Sequence, residues 1–111
     1  MSKDRLLLYQ QSLVNWGTDF QIMMLFEEMA ELTVAVTHCF RDSVKNWDKD
    51  IENIAEEIAD VRIMLEQIAF IFEIPDNLIR EQEEKKLLRL KKRLSGIKSK
   101  EGEKNSNHET L

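Results

Sequence analysis

Two stretches of this chain put acids where an apolar helix would have none. Residues 25–35 read LFEEMAELTVA and residues 54–64 read IAEEIADVRIM. Each carries two acids at i and i+3, Glu28 with Glu31 and Glu57 with Asp60, a spacing that places both side chains on one helical face. Met24, Glu28, Glu31 and Ala35 fall on one stripe, so the carboxylates interrupt an apolar lane instead of occupying a polar one. No Lys or Arg stands three or four residues from Glu28 or Glu31 to neutralise them. Taking an unpaired ion out of water is strongly unfavourable. If the two helices pack side by side, four like charges converge and raise one another's pKa, and a divalent cation between them is the simplest remedy. Oxygen donors alone favour a hard ion, Mg²⁺ first and Mn²⁺ second. The plainer alternative is a pair of solvated faces on amphipathic helices.

With three glycines and one proline in 111 residues, there is little turn material, and long helices joined by few loops are expected. The periodicity predicts a first helix from residue 4 to about 16, closed by Gly17. A second runs from 18 to about 40, opened by a capping box between Thr18 and Gln21. A third runs from near 50 to about 73, with Ile54, Ile58, Val61, Leu65, Ile68 and Phe72 as its core stripe. Ile74 and Pro75 end it, the proline suiting the first turn of a fourth helix over residues 75 to about 94. The polar, aperiodic residues 95–111 are expected to be a disordered tail. The expected fold is therefore all-α, a four-helix bundle over residues 1–94. Phe70, Ile71 and Phe72 in succession cannot all face one interior, so part of this surface is expected to meet another subunit, in a dimer or tetramer.

A formal net charge of −5 argues against a general nucleic-acid binder. The charge is uneven, however: residues 85–100 hold eight bases and no acid. The single cysteine, Cys39, excludes an internal disulfide and reads as a small buried hydrophobe. No apolar run reaches the length of a signal peptide or a membrane span, so a cytoplasmic protein without a membrane partner is expected.

Other metal chemistries find no ligands. Di-iron bundles use Glu-x-x-His, but Ala35 and Asn105 stand three residues before His38 and His108. Zinc would want clustered Cys or His. His38 reads as a helix-end residue favourable to the local dipole.

The run E-E-M-A-E at 27–31, followed after 25 intervening residues by E-I-A-D at 57–60, resembles the signature of the MazG-like all-α nucleoside triphosphate pyrophosphohydrolases. The likeness spans roughly residues 10 to 94. It implies Mg²⁺-dependent hydrolysis of a (deoxy)nucleoside triphosphate to the monophosphate and pyrophosphate, suited to house-cleaning of the nucleotide pool. It also implies that Glu28, Glu31, Glu57 and Asp60 hold the catalytic metal, with Glu27 and Glu56 beside them, behind the ligands or facing solvent. The Asn and Lys/Arg-Tyr-Pro segment that the family often shows after this region has no counterpart here.

Positive charge near a leaving pyrophosphate would help the reaction, and Lys86 with Arg89 at i, i+3 could supply it. Trp16 and Trp47 could stack on a base, and Asn15 and Gln21 could hydrogen-bond its edge; all four also have ordinary structural roles open to them. Two other classes stay open: a non-catalytic helical dimerisation module, and a nucleotide sensor.

Overall fold

The scarcity of glycine and proline translates into four helices of 14, 24, 25 and 24 residues. The computed structural model describes residues 1–41 and 46–99. Its helices are α1 (Lys3–Trp16), α2 (Thr18–Arg41), α3 (Trp47–Ile71) and α4 (Asp76–Ser99), and no strand occurs among the described residues. The chain divides into two units, Met1–Glu73 with α1 to α3, and a second beginning at Ile74 that contains α4.

The helix ends differ instructively from the expected ones. Ser2 caps α1, its hydroxyl accepting from the Arg5 amide at 3.2 Å. Gly17 then serves two helices at once. Its amide donates to the Leu13 carbonyl at 2.8 Å, closing α1, and its carbonyl accepts from the Gln21 amide at 3.2 Å, opening α2. Its φ of 85° and ψ of 166° lie in a region essentially reserved for glycine. The capping box is therefore displaced: Thr18 already lies inside α2, and the Gln21 amide it was expected to cover is taken by Gly17.

α3 begins at Trp47, three residues earlier than expected, so that Asp50 lies in its first turn with its amide bonded to the Asn46 carbonyl at 3.0 Å. It ends at Ile71, after which Glu73 adopts a left-handed φ of 54°. Pro75 precedes α4 instead of opening its first turn, its carbonyl accepting from Leu78 and Ile79. The fourth helix also runs five residues past Leu94, because Leu94 and Ile97 prolong its apolar stripe; residues 95–99 are helix, not tail. Residues 100–111, the rest of the expected tail, and 42–45, in the expected loop between α2 and α3, lie outside the described residues.

In the first unit α2 and α3 pack antiparallel, and α1 is tied to α3 at Glu66. The Tyr9 hydroxyl donates to Glu66 Oε1 at 2.7 Å, and the Arg5 guanidinium pairs with the same oxygen. Burial, and then the bond to Glu66, push the Tyr9 phenol above its ordinary pKa.

The buried set is small. Among the described residues, Tyr9, Cys39 and Met64 are its apolar members, joined by Gln21, Asp50 and Gln67. Gln67 Nε2 points at the Met64 sulfur, 3.4 Å away. Of the expected α3 stripe, Ile54, Val61 and Ile68 are half-buried, whereas Ile58, Leu65 and Phe72 are exposed. Among the described residues, no helix is long and apolar enough to cross a membrane.

Gly17→Ala should lower stability by about 1–3 kcal/mol through backbone strain alone, since a Cβ there would meet nothing within 4 Å. Urea unfolding of the two proteins measures this, and an unchanged midpoint would show that the strained geometry is not required.

Candidate metal centre

The acids meet because α2 and α3 run in opposite directions side by side. Glu28 and Glu31, in the middle of α2, lie beside Glu57 of α3; further along α2, His38 lies beside Asp50, earlier in α3. Each of Glu28, Glu31 and Glu57 offers a carboxylate oxygen, and the three oxygens lie within 4.8 Å of one another. Opposite ligands of a Mg²⁺ ion stand about 4.2 Å apart, and those of Ca²⁺ about 5 Å. The three acids therefore match the scale of a single hard ion.

Two further facts bear on the fit. Glu28 and Glu57 are half-buried, and one oxygen of each, Oε2 in both cases, is buried without a hydrogen-bond partner. Such orphaned acceptors are uncommon in folded proteins. Their surroundings also oppose ionisation. Glu28 is pushed up to about 7 from an ordinary 4.5, first by burial and then by the charges of Glu31, Asp60 and Glu57. Glu57 is raised by burial, then by Glu31 and Asp60. A cation would replace the proton that Glu28 retains with an interaction that favours the ionised form.

Asp60 stands at the margin of this group: it is exposed, and it adds its charge to both Glu28 and Glu57 without joining the closest triple. Glu27 and Glu56 are exposed on their helices, and the charge of Glu56 is felt by Glu57. Glu31 is exposed too, which gives the cluster one side open to solvent. Carboxylate oxygens facing an opening, with no competing lysine among their strongest neighbours, can bind a hydrated divalent ion and leave positions for phosphate oxygens.

Of the four residues proposed for base contact, Trp47 lies apart from Asn15, Trp16 and Gln21 in one protomer. Asn15 and Trp16 end α1, whereas Trp47 begins α3, and the whole of α2, about 36 Å long, runs between them. Trp16 instead stacks on Phe20 across the Gly17 corner, their ring centroids 6.0 Å apart. Gln21 is buried in the first turn of α2. Lys86 and Arg89 belong to the second unit and are exposed on α4.

Asp50 is buried in a way that its sequence position concealed. It is 5% exposed, its Oδ2 lacks a hydrogen-bond partner, and its Oδ1 lies 4.0 Å from His38 Nε2. An Asp near a helix start reads as a capping or dipole residue, and nothing in the local pattern distinguishes a buried one.

Comparison with protein-family models, with curated proteins and with solved structures found no match.

The raised carboxyls set a pH dependence of definite sign. The folded state holds Glu28's proton up to about 7 and the unfolded state only up to 4.5. This contribution to stability is therefore full below about 4.5 and is lost as the pH rises to about 7. In chelator, the melting temperature should fall across that interval. Mg²⁺ should restore it at pH 8 by several degrees when present at about 100 times its Kd, and do much less at pH 5, where protons compete. Calorimetry with and without Mg²⁺ at both pH values checks this; equal Mg²⁺ shifts at pH 5 and pH 8 would contradict it.

Proposed function

We propose that this chain is a divalent-cation-dependent nucleoside triphosphate pyrophosphohydrolase with a fold of the MazG-like type. The observation that carries the reading is the meeting of Glu28, Glu31 and Glu57 across two helices, with buried oxygens left unpartnered. These acids belong to the paired E-E-M-A-E and E-I-A-D pattern of residues 27–31 and 57–60.

In this reading Glu28, Glu31, Glu57 and Asp60 hold Mg²⁺, with Mn²⁺ as substitute. The bound ion neutralises triphosphate oxygens and lowers the pKa of a water molecule. The chain itself contributes position and dielectric: two helices fix the carboxylates, and the half-buried seam strengthens their hold on a cation. Water is the nucleophile in this reading. Cys39 is buried, and His38 follows Glu31 by seven residues, about 10 Å along the helix axis. Attack at the α-phosphorus breaks the α–β anhydride bond, and pyrophosphate leaves from a nucleoside monophosphate.

The same reading includes a homo-oligomer. Val14 (89%), Phe40 (88%) and Val34 (67%) are largely exposed in the isolated protomer, as are Phe72 and Phe26. That is more apolar surface than a stable monomer of this size usually leaves in water. Light scattering of the purified chain should give the mass of a dimer or tetramer; a monomer at micromolar concentration would remove this part of the reading.

Activity is tested with Mg²⁺ and a panel of NTPs and dNTPs, read as pyrophosphate release. Glu28→Gln and Asp60→Asn should each lose more than the roughly 10–100-fold that follows removal of a residue behind a metal ligand. Folded, Mg²⁺-loaded protein that is inert across the whole panel would end the enzymatic reading. Binding of a non-hydrolysable triphosphate by such inert protein would identify a nucleotide sensor.

A further inference from the structure

The exposed side of α3 carries one continuous line of residues. Ile51, Ala55, Ile58, Arg62, Leu65 and Ala69 follow one another at alternating intervals of four and three, the spacing that keeps side chains on one helical face. All but the half-buried Ala69 are exposed, Ile51 by 47%, Ile58 by 42% and Leu65 by 52%. The line is apolar except at Arg62. The acid four residues on, Glu66, is already bound by Arg5 and Tyr9, and among the described residues Arg62 enters no ion pair. A guanidinium set among isoleucine, leucine and alanine calls for a cover that is apolar apart from one acid at the matching level.

The second unit contains such a face. Along α4, Glu83, Leu87, Leu90, Leu94 and Ile97 keep the same alternation of four and three, with Glu83 the single acid among them. Leu87 is 64% exposed, Leu94 53% and Ile97 65%. Arg80, three residues before Glu83, is bound to Asp76. Laid antiparallel with Arg62 level with Glu83, the two lines match along their length: Ile58 falls level with Leu87, Ala55 with Leu90 and Ile51 with Leu94. Trp47 comes within one residue of Ile97, and Leu65 within one residue of Ile79. On the flank, Lys91 comes within about half a turn of Glu52.

Other alignments lose these matches. A shift of one turn sets Arg62 against Leu87 and Glu83 against Glu66, or, the other way, Glu83 against Ile58. A parallel pair aligned on the same two charges sets Leu65 against Lys86 and carries Leu94 and Ile97 past the end of α3.

We propose that α4 of one copy of this chain lies antiparallel on the exposed face of α3 of a second copy, with Arg62 paired to the partner's Glu83. By two-fold symmetry each copy gives one α4 and receives one. The apolar pairs supply affinity, and the ion pair fixes the register, because a slip would cover both charges without a partner. The inference rests on the homo-oligomer of the proposed function and not on its chemistry.

Disulfide trapping in the full-length chain tests it. In a Cys39→Ala background, an equimolar mixture of Ile51→Cys chains and Leu94→Cys chains is oxidised, after circular dichroism shows both folded. The expected product is the mixed disulfide between chains. Leu65→Cys, about 21 Å along α3 from Ile51, should trap much less when it replaces Ile51→Cys. Adding Arg62→Glu to the first chain should lower the yield about fivefold, and Glu83→Arg added to the second should restore it. A chain carrying both cysteines should dimerise covalently. Closure of the disulfide within that one chain, equal yields from Leu65→Cys and Ile51→Cys, a yield indifferent to the charge exchange, or no disulfide between chains would each overturn the proposal. Light scattering separates this failure from that of the oligomer: a dimer or tetramer without the mixed product loses this contact alone, whereas a monomer removes both.

Discussion

The mutual repulsion of carboxylates across the α2–α3 seam is the constraint around which the first unit is built. Two apolar helices gain by lying together, yet bringing Glu28 and Glu31 beside Glu57 removes acids from water and sets them against one another. A Glu near 7 signals the conflict: the unliganded seam holds protons that free glutamate would release. The arrangement persists because the rest of the helix pair fixes it. Any ion that enters is therefore met by ligands positioned in advance, and binding need not order them.

Polar residues recur along the whole seam. Gln21, in the first turn of α2, and Gln67, near the end of the antiparallel α3, are both buried; the acids occupy the middle, and His38 with Asp50 the far end. Alongside half-buried apolar residues such as Ile22, Leu25, Leu32, Ile54, Val61 and Ile68, many large apolar side chains stay exposed. Val14, Phe26, Val34, Phe40 and Phe72 are exposed, while only Tyr9, Cys39 and Met64 are buried apolar residues among those described. The pair leaves large apolar side chains in water, and such surface calls for further apolar cover. The homo-oligomer in the proposed function follows from this distribution and not from the catalytic chemistry.

What could be read from the residues was what depends on local order. Four helices, the breaks at Gly17 and Pro75, the burial of Cys39 and the shared face of each acid pair all follow from spacing and backbone chemistry. Helix ends were harder, because competing donors decide them: Thr18 and Gln21 have the right types for a cap, but the Gly17 carbonyl reaches the Gln21 amide first. Periodicity identified the α3 stripe and could not tell which half of it would be covered. Ile58, Leu65 and Phe72 share that stripe with Val61 and Ile68 yet face solvent in one protomer, since burial depends on which neighbours arrive. Trp47 lies apart from Asn15, Trp16 and Gln21 for a related reason: Trp16 and Trp47 are both near helix ends, but at opposite ends of α2.

Asp50 and Glu28 show how one acid with a buried oxygen has a basic group of the fold beside it and the other does not. Both have a buried oxygen without a hydrogen-bond partner. Asp50, however, has the His38 imidazole 4.0 Å from its other oxygen, a group of the same chain that can carry a compensating positive charge. Glu28 has Glu31, Glu57 and Asp60 as its strongest charged neighbours, all acids. Compensation at Asp50 is available from within the fold, whereas at Glu28 it must come from protons or from an ion. Protons suffice only where the pH leaves them in place, so towards alkaline pH the charge balance of the acidic centre depends on something other than the proton that Glu28 holds.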